Sequence, residues 1–161
     1  MSSRRAELRG TVRTFTPQTR ELAERRIGDH IVLLTVPHWM MALAADGRFA
    51  KCAALLDAMR DYAARSGASE AEVVAAVAIP AAQAVLAHRR GEWGKAVDVL
   101  YPVRREIVRL GRSHAQRDML WQILTDAARR AGRTGEVRTL LAEVSASRPA
   151  GVPSPRFYRS M

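Results

Sequence analysis

The chain has one cysteine, two lysines and few aromatic residues, and each scarcity narrows what it can be. Cys52 has no partner for an intrachain disulfide, and in an apolar setting it reads as a core thiol in a reducing compartment. A nucleophilic role would need a histidine close by and a lowered pKa, and the flanking residues supply no histidine. An aromatic share of 6% beside abundant alanine argues against sheets and for closely packed helices. No apolar run reaches the length of a membrane span: the longest candidate, 73–87, is mostly alanine and valine and is interrupted by Pro80. The four histidines, His30, His38, His88 and His114, match no H-x₃-H or Cys/His spacing, so neither metal nor cofactor is expected. A glycine-rich phosphate loop, a serine elbow and a paired carboxylate are all missing as well, and the expectation is a non-enzyme.

What is present is charge of one kind. The net charge is +10 over 161 residues, carried almost wholly by arginine, since lysine stands only at Lys51 and Lys95. Such a balance raises a nucleic-acid or polyanion reading. The arginines are nevertheless scattered, and the densest group, Arg104, Arg105 and Arg109, has Glu106 among them. No basic stripe interleaves with aromatics as a strand-tracking surface would require. An apolar content of 48% in this length suits one domain with a real core.

Order appears when the glycines are aligned. Gly47, Gly91 and Gly132 lie 44 and 41 residues apart. Two residues on stand Phe49, Trp93 and Thr134; five on, Cys52, Ala96 and Val137; nine on, Leu56, Leu100 and Leu141. The spacing lies within the range of helical-pair repeats. In such a pair the glycine turns the chain, the small residue permits close approach, and the leucine fills the groove between helices. Phe49, Trp93 and Leu141 are all expected to face the shared interior. In the central unit, Trp93, Ala96, Val97, Leu100, Val103, Ile107 and Leu110 recur at three- and four-residue steps, one apolar stripe of a helix.

The predicted architecture is all-α, antiparallel helical hairpins stacked as a short TPR-like α-solenoid of three repeats. It divides into a flexible basic segment at 1–15, a repeat domain at 16–148 that opens with a short helix from Pro17, and a proline-containing tail at 149–161. Ile31–Leu34 reads as a buried connector. Thr35, Val36 and Pro37 open the first repeat helix, and its partner from Phe49 buries Cys52, Leu55, Leu56 and Met59, with Ala63 completing the face. Ser69 with Glu72, and Ser113 with Gln116, form capping boxes. Pro80 is expected to break or kink its helix, and Pro102 to bend the next one near Val99 without ending it. The helix from His114 should bury Met119, Leu120, Ile123, Leu124, Ala127 and Ala128 and expose Arg117, Gln122, Thr125 and Arg129. The last helix, from Thr134, should pack through Val137, Leu140, Leu141 and Val144, and Phe157 and Tyr158 could dock on that hairpin.

Two stretches, PHWMMALAADGR at 37–48 and LYPVRREIVRLGRSHAQRD at 100–118, together resemble the C-terminal part of the tetratricopeptide-repeat protein 38 family. The matching positions are His38, Met40, Met41, Ser113, His114, Gln116, Arg117 and Asp118, and Val36 stands where the family usually has an acid. The resemblance spans about 36–147 and implies a helical-repeat fold, a cytoplasmic setting and no established catalysis. Without the family's earlier repeats, the chain reads as a shortened relative or the end of a longer solenoid, with an end open to self-association.

The functional expectation is a scaffold that binds a protein or peptide in a concave groove lined by the first helix of each hairpin, with Gln83, Arg117, Gln122, Thr125 and Arg129 exposed in it. His114, Arg117 and Asp118 are expected as a polar cluster at a helix N-terminus, where an anion or a partner's carboxylate is favoured. The same residues have a purely structural reading, with His114 and Asp118 paired one turn apart. His38 reads as a packing histidine. Its rival reading pairs it with His114 as acid and base, oriented by Asp118, in an enzyme or its remnant.

Overall fold

In a computed structural model of the chain, residues 36–65, 69–111, 114–147 and 156–159 are described. The basic segment at 1–15, the short helix from Pro17, the connector at 31–34, Ser113 and Pro149 lie outside the described residues. Among those described there is no strand. The elements are α1 (Val36–Ala45), α2 (Phe49–Arg65), α3 (Ser69–Val73), a π-helical turn (Val74–Ala78), α4 (Ile79–Arg90), α5 (Trp93–Leu100), a 3₁₀ segment (Arg104–Leu110), α6 (His114–Arg130), α7 (Thr134–Ala146) and a last turn, α8 (Arg156–Arg159).

Three hairpins, α1/α2, α4/α5 and α6/α7, turn by the same local chemistry. Gly47, Gly91 and Gly132 sit at φ of 71°, 78° and 71°. Each glycine amide bonds three residues back, to Ala44 (3.2 Å), His88 (3.1 Å) and Arg129 (3.2 Å). Each following amide bonds five residues back, Arg48 to Leu43 (3.1 Å), Glu92 to Ala87 (2.9 Å) and Arg133 to Ala128 (2.9 Å). These paired bonds are the Schellman arrangement that satisfies the last carbonyls of a helix, and it needs a left-handed residue. Gly91→Ala should therefore cost about 1 kcal/mol, a melting temperature lower by roughly 3 °C in a calorimetric scan. A Cβ at Gly91 would meet only Trp93 at ordinary contact distance, so the loss would come from the backbone and not from a clash.

The hairpins pack in sequence. α4 lies on both α1 and α2, and α6 lies on both α4 and α5. One apolar cluster runs through them, from Met40 and Leu43 through Cys52, Met59, Val77, Val85 and Leu100 to Leu124 and Leu140. The buried face of α2 is Cys52, Leu55, Leu56 and Met59, as its periodicity predicts. Burial pushes the Cys52 thiol above its usual pKa, consistent with a packing role. In the leucine slot, Leu56 and Leu100 are buried, but in the third hairpin Leu140 takes the fully buried place and Leu141 is only half-buried.

The aromatic slot differs from expectation. Phe49 is 38% exposed and Trp93 half-buried, so these rings mark the seam between hairpins and not the interior. Each is covered by an arginine from the first helix of the following hairpin. Arg90 lies 4.7 Å from the Phe49 ring centre, and Arg130 lies 4.9 Å from that of Trp93.

Pro80 does not break its helix, and Pro102 acts otherwise than predicted. Helix continues from Ser69 to Arg90 without a break, because the turn just before Pro80 widens: the Ile79 amide bonds to Val74, five residues back. That extra residue gives room where the proline ring would meet the Ala76 carbonyl, and a single π-turn is a known way of absorbing it. Pro102, by contrast, ends its helix. α5 stops at Leu100, and the chain resumes at Arg104 as a 3₁₀ helix. With three residues per turn, Arg104, Ile107 and Leu110 share one face, and Ile107 and Leu110 are buried. Arg105 and Val108 share another, which leaves Val108 60% exposed.

The continuous helix Glu70–Arg90, 21 residues whose most apolar 18-residue stretch has a mean hydropathy of 1.5, is long and apolar enough to cross a membrane by length and composition. The proline-interrupted sequence run understated this. More than half of its most apolar window is buried within the fold against α1, α2 and α5, which accounts for that apolarity without a bilayer.

Candidate functional site: a groove on the third hairpin

The 3₁₀ segment, the start of α6 and the end of α7 enclose an open cavity of about 950 Å³. Its apolar wall is Val108, Ala115, Trp121 and Val144, and its charged rim is Arg104, Arg105, His114, Arg117, Asp118 and Glu143. The 3₁₀ geometry turns Val108 and Arg105 toward it. α6 supplies His114, Arg117, Asp118 and Trp121 at helical three- and four-residue steps, one face of its first two turns.

The rim is held by specific bonds. Glu143 accepts from Arg104 Nε and Nη2 (2.9 and 3.0 Å) and from Arg105 Nη2 (2.6 Å). Arg104 also donates to the Tyr101 carbonyl at 2.8 Å and lies 4.0 Å over the Tyr101 ring. The Arg104 hydrogen bonds, reinforced by Arg105 against a smaller cost of burial, hold the Glu143 carboxyl below its usual range. One carboxylate thus fixes two guanidiniums.

The GRSHAQRD stretch comes together, though not as predicted. His114 and Asp118 are not each other's partners. Arg117 donates to the Gly111 carbonyl at 2.6 Å, and its other terminal nitrogen is 3.0 Å from His114 Nδ1. Asp118 accepts from Gln122 at 2.6 Å and from the Tyr158 hydroxyl at 3.0 Å. The second capping box depends on Ser113, outside the described residues; Gln116 Oε1 is buried without a hydrogen-bond partner. Tyr158 is 7% exposed, so the last turn does dock on α6, as the aromatic pair in the tail suggested.

Thr125 corrects an expectation outright. Predicted as an exposed groove residue, it is fully buried, with its hydroxyl donating to the Trp121 carbonyl at 2.7 Å. α6 is clasped by α4 and α5 on one side and by α7 on the other, so its buried arc is wider than a single stripe. Arg129 is exposed but lies at the far end of α6, bound to Asp126 at 3.1 Å. Gln83 on α4 and His38 in the first turn of α1 are half-buried, and neither lines the cavity. The groove therefore belongs to the third hairpin, and the first helices of the three hairpins do not share it.

A second polar cluster escaped sequence reading. His88 Nε2 lies 2.9 Å from Asp126 Oδ2, and both side chains are about 15% exposed. Asp126 also accepts from Arg130 (2.6 Å) and Arg129 (3.1 Å), while the His88 ring packs edge-on to Trp93 at 4.9 Å. Burial alone would raise the Asp126 pKa. The hydrogen bonds from His88, Arg130 and Arg129 outweigh it and hold the carboxyl far below its usual range. His88 and Asp126 are 38 residues apart, so periodicity within either helix could not pair them. This cluster ties α4 to α6 and lines no part of the cavity. Among the described residues, no three His, Cys, Asp or Glu side chains gather as metal ligands would.

No protein-family model and no solved structure matches this chain.

Proposed function

We propose that the chain is a non-catalytic, TPR-like helical-repeat scaffold that binds a protein partner, and that the groove of the third hairpin is where it does so. The observation that carries this reading is the exposed Val108 beside the half-buried Trp121 in an open cavity. An apolar wall with a fixed polar rim is the anatomy of a contact surface. The three equivalent glycine turns support the repeat reading. A cytoplasmic setting is what the resemblance to the tetratricopeptide-repeat protein 38 family would imply.

The polyanion reading has less support. Arg60, Arg65, Arg104, Arg105, Arg109, Arg129, Arg130 and Arg133 each sit in an ion pair, which lowers the positive potential that they offer a phosphate backbone.

Selection from a random peptide library on the immobilised full chain tests the proposal. Peptides retained by the wild type should bind Val108→Asp at least about tenfold more weakly, because a charge would enter an apolar contact. Val108 is exposed, so the variant should keep its fold, and circular dichroism checks that. Equal binding by the two proteins would exclude the groove. Salt-sensitive capture of single-stranded RNA with no peptide enrichment would favour the polyanion reading instead.

A further inference from the structure

The charges around the cavity are unevenly satisfied, and this indicates what kind of peptide it takes. Glu143 is saturated by Arg104 and Arg105. Asp118 is satisfied by two neutral donors, the Gln122 amide and the Tyr158 hydroxyl. Among the described residues Arg117 has no carboxylate within ion-pair distance: its bonds go to a backbone carbonyl and to the imidazole of His114. It stands in the first turn of α6, a helix of 17 residues whose N-terminal dipole adds to the same sign of potential. The cavity thus joins an apolar wall, Val108 and Trp121, to three guanidiniums, Arg104, Arg105 and Arg117, against two carboxylates, Asp118 and Glu143, so its lining is net positive by one charge.

We propose, building on the peptide-binding reading above, that the groove recognises an acidic peptide segment, one placing an apolar side chain against Val108 and Trp121 and a neighbouring carboxylate against Arg117. A guanidinium is suited to this, since it can hold its carbonyl bond through one terminal nitrogen and meet a carboxylate with the remaining donors. A basic segment would meet Arg117 and Arg105 as like charges and be rejected. The last turn carries Tyr158 onto Asp118, and its hydroxyl occupies one oxygen of that carboxylate.

The test uses the full chain and the same random peptide library. Sequences enriched on the wild type should be rich in Asp and Glu next to an apolar residue, and their binding should weaken as salt rises. Arg117→Gln keeps a donor for the Gly111 carbonyl and removes the charge. The best acidic peptide should bind it about tenfold more weakly, the scale of one charge-assisted contact. Arg117→Glu should turn the enrichment toward Lys and Arg. Enrichment without acidic bias, or the same sequences selected on wild type and Arg117→Glu, would overturn the charge inference while leaving the groove as a peptide site. Binding indifferent to Val108→Asp would remove both. Melting curves on the Arg117 variants separate lost recognition from a frayed α6.

Discussion

Leu100→Ala should lower stability by about 3 kcal/mol, and Leu141→Ala by about 1 kcal/mol, although the two occupy the same slot of the repeat. Leu100 is fully buried where α5 meets its neighbours, so truncation removes transfer energy and leaves a void the packed helices can close only in part. Leu141 is half-buried, and solvent already reaches the space its side chain would vacate. The difference arises at the end of the stack. Leu100 has the α6/α7 hairpin beyond it, whereas among the described residues only the short last turn follows α7. Thermal melts of the two variants check this, with shifts of roughly 10 °C and roughly 3 °C. Equal losses would mean that the third hairpin is as enclosed as the second, against the burial seen here.

The helices and their turns could be read from sequence because the forces that set them are local. A glycine required at positive φ, and an apolar face repeated at three- and four-residue steps, act within one or two turns of chain. Gly47, Gly91 and Gly132, and the buried set Cys52, Leu55, Leu56 and Met59, are of that kind. What could not be read depended on neighbours distant in sequence. Thr125 is polar and sits off the apolar stripe, yet packing on two sides buries it. Pro80 and Pro102 carry the same local penalty but meet it differently. Val74–Ala78 is gripped on several sides and widens into a π-turn, while the stretch after Leu100 is free to leave the helix and tighten into 3₁₀ form. The candidate site was legible in part. GRSHAQRD signalled a polar helix start, and His114, Arg117 and Asp118 do share a cavity wall. Their actual partners, Gly111, Gln122 and Tyr158, include one 40 residues away that no spacing rule could supply.

Asp126→Asn should cost about 2 kcal/mol at neutral pH, chiefly through its contact with His88. Arg129 and Arg130 are more exposed and contribute less each, as ion pairs in water do. The effect should depend on acid in a definite direction. The Asp126 carboxyl is held below its usual value in the folded chain, so the unfolded chain takes up the proton first as the pH falls. Its contribution is complete above the unfolded-state carboxyl pKa, about 4, and declines progressively below it. Wild type and Asp126→Asn should accordingly differ most near pH 7 and converge toward pH 2 in urea unfolding followed by circular dichroism. A double-mutant cycle with His88→Ala isolates the link between α4 and α6, and a coupling of about 1 kcal/mol or more is expected for a largely buried hydrogen-bonded pair. Strict additivity, or a wild-type advantage that persists unchanged into acid, would mean that Asp126 serves only its own helix through Arg129 and Arg130, and that the other contacts between the second and third hairpins, such as Arg130 over Trp93 and the Arg133–Asp98 pair, join them without it.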